Sequence, residues 1–418
     1  MRAGRDFTNF ATIKSHQPSL KTFETTRLSL ALTLQESPAR KHVKRIRIRS
    51  NPGMLATVML VVATWPTGAY STEPWETHSA IADMGAKAPE LSAEGQSWLL
   101  RTIESGDSAD LRWPDFGDYS KHLKKFYGFN GYSLWWIKGG EPTAQAKQLI
   151  ALFREAGRKG LFAEDYDGSR WDQRLAKLRP ETRQPVDMDQ VKFDLDLTVC
   201  VMRYISDLHI GKVNPRHLAF ALDEDARKYD LAEFIKDYVV SGIDVAGILS
   251  RVEPKYPGYR RTIQALQTYL DLEKEDDGEQ LPRFKKRILP GDVYSGIPRI
   301  VRLLRLTGDL PRDVNVPVDP PVYQGALVDA MKNFQRRHGR DPSGDIDTQT
   351  LADLNVPFSR RVRQMQLTLE RWRWMPDSYQ EAPIVVNIPE FRLRAYDDNF
   401  NIGVTMKVVV GKAYPYPW

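Results

Sequence analysis

Apolar residues recur at helical spacing through most of the chain and at every second position only near its end. Thr143 precedes a run with Ala146, Leu149, Ile150 and Phe153 at i, i+3, i+4 and i+7, and Gly157 and Gly160 close it. That spacing puts four side chains on one face of a helix, with Thr143 at its start. A second run places Leu197, Cys200, Val201, Tyr204, Ile205 and Leu208 on one stripe. Pro254, Tyr256, Pro257, Gly258 and Tyr259 read as a rigid loop, and a helical stripe of Ile263, Leu266, Tyr269 and Leu270 follows. From Leu289-Pro290-Gly291-Asp292 a helix opens with Ile297, Ile300, Val301 and Leu304, and Gly308-Asp309 ends it. The next helix carries Leu327, Ala330, Met331 and Phe334, and Asp347 caps a third through Leu351 and Leu354. These three short helices surround one small core.

A further helix starts at Ser359, turns Val362, Met365, Leu369 and Trp372 inward, and ends near Trp374-Met375-Pro376. The period then changes. Ile384–Ile388 reads as a strand. Phe391, Leu393 and Ala395 alternate with Arg392 and Arg394, which predicts a second strand with one buried face. Asp397-Asp398-Asn399 is the turn, and Val404, Met406, Val408 and Val410 form a third strand. Three strands with an apolar face need a partner layer. The chain stops at Trp418, so the expectation is a β domain cut off before that layer. The predicted fold class is mainly α, followed by an incomplete C-terminal β domain, α+β overall.

Charge separates the leader from the body. Residues 1–71 hold 11 Lys/Arg against 3 Asp/Glu, while 72–418 hold 49 against 51. The body therefore gives no argument for nucleic acid as a partner. Arg40, Lys41, Lys44, Arg45, Arg47 and Arg49 precede the apolar run Met54–Trp65, and Ala69-Tyr70-Ser71 offers a small-residue cleavage site. A secretory signal at about 40–71 follows, with a buried helix or a signal anchor as the alternative. Twelve residues are too short to span a bilayer of about 30 Å as a helix. Residues 1–39 precede that signal, as expected if the true start lies downstream or the segment is disordered. Periplasmic location is the expectation, with the membrane reached only through an uncleaved leader.

One cysteine, Cys200, excludes an intramolecular disulfide and a multi-cysteine zinc site. Its place in an apolar helical stripe reads as a buried, inert thiol. The seven histidines show no HExxH or HxH spacing. His209 and His217 flank the Asn214-Pro215 turn, where structural hydrogen bonding competes with ligand binding. Trp113, Tyr127, Tyr132, Trp135 and Trp136 crowd one stretch, which suits a core better than a sugar platform. The strip Arg336-Arg337-His338 reads as a solvated face or, more sharply, as a ligand surface.

Two sets of motifs carry a resemblance. The first is Tyr323-x-Gly325-x-Leu327-Val328-x-Ala330-x-x-x-Phe334-Gln335-x-x-His338-Gly339, followed by Gly344-x-Ile346-Asp347-x-x-Thr350-Leu351-x-x-Leu354-Asn355. It resembles the peptidoglycan-binding domain of bacterial cell-wall enzymes. The second comprises Leu111-Arg112-Trp113-Pro114-Asp115-Phe116, Gly160-Leu161-x-x-Glu164-Asp165-Tyr166, Arg203–His209, Asn214-Pro215-Arg216, Leu354–Pro357, Glu370-Arg371-Trp372-Arg373-Trp374 and Val386–Leu393. Together, residues 85–411 resemble the large L,D-transpeptidases of Gram-negative bacteria.

The resemblance implies a leader over 1–71, a scaffold domain over 85–287, a peptidoglycan-binding domain over 288–357, a linker helix over 358–376 and an N-terminal catalytic-domain fragment over 383–418. In that family a cysteine thiolate attacks a stem tetrapeptide, D-alanine leaves, and a diaminopimelate amine resolves the acyl-enzyme into a 3-3 cross-link. No metal or organic cofactor takes part. The family's Ser-His-Gly-Cys-type motif has no counterpart here, and no cysteine or histidine follows His338. No catalytic residue carries over. The expected function is a truncated family member, inactive as written; the alternative is a non-enzymatic peptidoglycan-binding scaffold that partners intact cell-wall enzymes. A zinc-dependent wall hydrolase is a third reading. Arg336, Arg337 and His338 are the candidate substrate contacts.

Overall fold

The computed structural model describes the backbone of 57–58 and residues 91–178, 188–215, 230–376, 383–388, 390–397, 399 and 401–409. The leader expectations (Thr57–Val58 backbone aside), His217, and the ending after Val409 lie outside the described residues. Among the described residues twelve α-helices dominate, with small sheets beside them, so the mainly α, α+β class holds.

The first unit is built from α1 (Ala93–Ser105), α2 (Ser120–Gly128), α3 (Ala144–Arg154), α4 (Trp171–Lys177), α5 (Met188–His209), α6 (Leu231–Phe234) and α7 (Val245–Ser250). A tight hairpin of β2 (Ile137–Lys138) and β3 (Glu141–Pro142) leads into α3. Thr143 caps α3 by accepting the Ala146 amide, and Ala146, Leu149, Ile150 and Phe153 are all buried, as their spacing requires. The long helix α5 departs from expectation. Its predicted stripe is buried, but so are Val191, Leu195, Val199 and Met202 on its other sides. A helix buried on nearly all sides lies at the centre of its domain, and one continuous core from Leu99 to Val252 surrounds α5.

The helix α8 (Pro257–Lys274) begins inside the stretch expected to be a loop. Pro257 suits a first helical turn because its missing N–H has no helical partner there anyway. This helix packs along α12 (Phe358–Arg373) instead of within the first core. Tyr259, Ile263 and Leu266 meet Val362, Leu369, Trp372 and Met375 in a separate cluster. Gly258 makes the approach possible, since a Cβ there would lie 2.2 Å from Cζ2 of the rigid Trp372 indole.

Between the two arms of this stem sits the three-helix unit of α9 (Ile297–Leu306), α10 (Ala326–Arg337) and α11 (Thr348–Leu354). Residues 289–292 form a turn before α9 rather than its first turn. Short pairings of Ile288 with Ile346 and of Val293 with Val322 tie the loops together. The Asp347 carboxylate accepts the Thr350 amide at 2.7 Å, so the expected cap is present. Leu272 and Phe358 join the core of this unit, so the stem and the unit share packing.

After α12 come the antiparallel strands β4 (Ile384–Asn387), β5 (Arg392–Tyr396) and β6 (Ile402–Lys407). The backbone of β1 (Thr57–Val58) runs parallel to β4. Strand order is β1-β4-β5-β6. Glu390 anchors the β4–β5 turn: it accepts two bonds from Arg394 at 2.7 and 3.1 Å and one from Asn387 at 2.9 Å. The expected fully buried face of β5 does not form. Leu393 and Ala395 are half-buried, and Phe391, Ile402 and Val404 are exposed. The physical reason is geometric: a sheet face is buried only by a second layer.

Candidate functional site

Two adjoining constellations of buried polar groups organise the helical unit and its contact with α12. The first is a polar hub inside the helical unit. Asp194, on α5, is fully buried and accepts the amides of Trp135 and Trp136 at 2.9 and 2.7 Å and the Tyr127 hydroxyl at 2.7 Å. Trp136 donates its indole N–H to Thr198 at 2.9 Å. One helical face thereby sets the shape of the 127–136 loop. The aromatic stretch is mostly core, with Tyr127 and Trp136 buried and Trp135 and Tyr132 partly so, whereas Trp113 is exposed.

The neighbouring loop is fixed in the same manner. Arg203 donates to the carbonyls of Trp113 and Asp115 at 2.8 and 2.7 Å. Asp167 accepts the Arg112 amide at 2.9 Å and an Arg174 N–H at 2.5 Å, and Arg174 also pairs with Asp196 at 3.2 Å. Trp113 also donates its indole N–H to Asp165 at 3.2 Å, and Tyr166 bonds Asp207, so residues of Leu111–Phe116, Gly160–Tyr166 and Arg203–His209 bind one another across the fold.

The second constellation joins this unit to the end of α12. Arg373 is fully buried; its Nη2 donates to the Lys159 carbonyl at 2.5 Å and to the Tyr259 hydroxyl at 3.3 Å. Glu370 accepts the amides of Lys212 and Val213 at 2.7 and 2.8 Å and the Trp374 indole N–H at 3.3 Å. Two glycines permit this contact. Gly160 and Gly211 both have positive φ, at 74° and 86°; a Cβ would meet Leu369 at 2.8 Å in the first case and Glu370 at 2.7 Å in the second. Tyr256 donates to the Pro376 carbonyl and closes the joint.

Within the joint, Tyr166 donates to Asp207 at 2.6 Å. Burial pushes the Asp207 carboxyl up to about 7, although Tyr166, Lys212 and Arg373 pull it down; Glu370 reinforces the rise. A folded-state pKa above the unfolded value near 3.9 means the folded chain holds this proton more tightly. The contribution of Asp207 to stability is therefore complete below pH ~4 and falls as pH rises to 7, by up to about 1.4 kcal/mol per pH unit. Denaturant unfolding of Asp207→Asn beside the parent should show the variant gaining relative stability from pH 4 to 7. A difference that stays constant with pH would contradict this assignment.

The sequence-derived candidates fall elsewhere. Cys200 is fully buried, and burial pushes its thiol well above its ordinary range. The His209 Nδ1–H donates to the Val252 carbonyl at 2.8 Å, which is the structural role. Arg337 grips Asp309 with two N–H groups at 3.1 and 2.6 Å. His338 lies over Phe334 at 4.0 Å between centroids and bonds its carbonyl, and burial lowers the imidazole pKa to about 4. Arg336 stays exposed and reaches Asn333 at 2.8 Å. Of the three, His338 lines a void of about 20 Å³, near the volume of one water. Gln335 is likewise internal, holding the Gly344 amide and the Asp345 carbonyl at 2.9 and 2.8 Å. Sequence reading missed Asp194, Asp196 and Arg174, because carboxylates in an apolar helix have a meaning only once their partners are known.

Among the described residues no group of His, Cys, Asp and Glu is placed to hold a metal ion, and no helix is long and apolar enough to cross a membrane. Residues 121–266 match a family model described as Scaffold domain, from α2 into α8. No curated protein matches the chain.

Proposed function

We propose that this chain is a peptidoglycan-binding scaffold with the architecture of the large Gram-negative L,D-transpeptidases, holding wall polymer rather than cross-linking it. One observation carries the reading: the helical unit and the three-helix unit are mounted on a single α8–α12 stem, locked at one end by Arg373 and Glu370. Such a mount keeps a helical binding unit at a set position relative to whatever follows α12. The scaffold-domain match supports the holding role. An exported, periplasmic location and association with intact cell-wall enzymes belong to the same proposal.

Co-sedimentation with purified sacculi is the direct test. The chain should pellet with sacculi and stay soluble without them. Failure to pellet under low and physiological salt would remove the wall-binding role.

A cross-linking role makes a different demand. It needs a thiolate that a substrate can reach, and Cys200, the one cysteine in the 418 residues, is closed off. Incubation with a carbapenem should leave the intact mass unchanged. Cys200 should react with a maleimide only after denaturation. A carbapenem adduct on the native chain would restore the enzymatic reading.

A further inference from the structure

The three-helix unit matches most of its guanidinium groups to an acid or a carbonyl. Arg299 and Arg302 pair with Asp277, Arg337 with Asp309, Arg340 with Asp353, and Arg305 donates to the Val314 carbonyl. The strap that joins α8 to α9 breaks this pattern. Arg283, Lys285, Lys286 and Arg287 are exposed along it, and among the described residues only Arg287 meets an acid, Asp345 at 3.4 Å. Residues 281–294 carry these four cations against one acid, Asp292. The strap is tied down at both ends. Leu281 and Ile288 are buried; the Leu281 amide donates to Asn355 Oδ1 at 2.8 Å, and Ile288 exchanges two backbone bonds with Ile346 at 3.1 and 3.0 Å. Between them Phe284 packs edge-on against Tyr294, whose hydroxyl donates to the Pro282 carbonyl at 2.5 Å. The turn that follows presents two aliphatic side chains to solvent, Leu289 at 43% exposure and Val293 at 72%. Its backbone is held too. Asp292 accepts the Leu289 amide at 2.7 Å, and the Gly291 amide donates to the Tyr323 carbonyl at 2.7 Å.

We infer that this strip docks the three-helix unit onto an anionic phospholipid membrane, with Arg283, Lys285, Lys286 and Arg287 on the headgroups and Leu289 and Val293 entering the interface. The occupant follows from the charge and from the kind of apolar residue beside it. Clustered Lys and Arg are attracted to acidic headgroups without any paired geometry. Aliphatic tips gain by leaving water, and a turn already held in shape has little ordering left to lose on binding. A protein partner fits less well. Protein interfaces are depleted in Lys and anchored by Trp, Tyr and Arg, with Leu and Val under-represented. The strip's two aromatic residues, Phe284 and Tyr294, are occupied with each other, and Tyr294 is buried. A strand of nucleic acid calls for exposed aromatic platforms, which that pairing does not supply. The strip gives the chain a contact with the membrane that does not depend on the leader, and it is independent of the wall-binding proposal.

The test puts an environment-sensitive fluorophore at the tip. Cys200 is buried, so the full chain carrying Val293→Cys takes a single nitrobenzoxadiazole label at 293. Vesicles of phosphatidylcholine mixed with phosphatidylglycerol should shift its emission to the blue and at least double its intensity. Vesicles of phosphatidylcholine alone should not. Raising the salt from about 0.1 M to 1 M should weaken the apparent affinity at least tenfold, because the screening length falls from about 10 Å to 3 Å. Adding Arg283→Glu, Lys285→Glu and Lys286→Glu should also weaken it at least tenfold, with the melting temperature within a few degrees. If that variant unfolds, glutamine at the same three positions should give a loss of at least threefold. The leader is the same in every protein, and the label reports the tip alone. Pelleting with vesicles and no emission change would mean that the leader binds and the strip does not, which overturns the assignment. So would the absence of any response, an equal response to phosphatidylcholine, or an undiminished response in a folded charge variant. An equal blue shift with heparin or with purified sacculi in place of vesicles would overturn it as well, by assigning the strip to a soluble polyanion or to the wall polymer.

Discussion

Arg373→Met should loosen α12 from the helical scaffold by about 3 kcal/mol, within the range for removing one partner of a buried charge network. Methionine replaces the aliphatic stem, so lost packing is small and the measured effect reports the guanidinium. What disappears is the bond to the Lys159 carbonyl at 2.5 Å, the contact with the Tyr259 hydroxyl and the attraction of Glu370 at 3.7 Å. The Lys159 carbonyl and the Tyr259 hydroxyl then remain in a dry joint with fewer partners, which is the costly part of the change. Glu370 keeps the Lys212 and Val213 amides, so the joint should weaken rather than vanish. Hydrogen exchange gives the readout: α12 amides should exchange about 100-fold faster, the equivalent of some 3 kcal/mol at 1.4 kcal/mol per decade. Amides of α10 should change far less, because they belong to a different core. Unchanged exchange in α12 would show that the joint is not held by Arg373.

The joint also shows what a sequence does and does not disclose. Helical periods located α3, α10, α11 and α12 to within a residue or two, because each has one wet face and one dry face and the alternation is written into the chain. The surroundings of α5 were not visible in the same way. A helix buried on all sides carries no alternation, so its stripe appeared narrower than its burial. The start of α8 was lost to Pro257 and Gly258, residues that usually punctuate loops. Here one opens a helix and the other makes room for Trp372. The motif strip Arg336-Arg337-His338 was legible as a pattern but not as a role. Asp309, partner of Arg337, lies 28 positions away, and no local spacing announces it. Strand alternation in β5 was read correctly as a strand and incorrectly as a buried face, since burial depends on a facing layer that the alternation itself does not supply.

Asp194→Ala should be the most damaging single change in the scaffold, costing about 4 kcal/mol or more. Three donors lose their acceptor at once: the amides of Trp135 and Trp136 and the Tyr127 hydroxyl. Each unsatisfied buried group costs about 1–3 kcal/mol, and only Tyr127 has an alternative, Thr198 at 3.0 Å. Against a domain stability of about 5–15 kcal/mol this is a large fraction. At about 2–4 °C per kcal/mol for a unit of 150–250 residues, the melting temperature should fall by about 8–16 °C. Asp194→Asn separates the acceptor from the charge. Its side-chain carbonyl can still take the two tryptophan amides, and its NH₂ can donate to the Tyr127 oxygen if that hydroxyl turns to Thr198. Burial already raises the Asp194 carboxyl to about 7, so the native group is largely neutral below that pH and an amide is a close substitute there. Because the unfolded carboxyl ionises at about 3.9 while the folded one holds its proton to about 7, the asparagine variant should gain on the parent from pH ~4 to 7, and the difference should level off above 7. Thermal melts of the three proteins across that range decide the matter. An alanine variant as stable as the asparagine one would mean that the loop at 127–136 is shaped by its own packing, not by the carboxylate on α5.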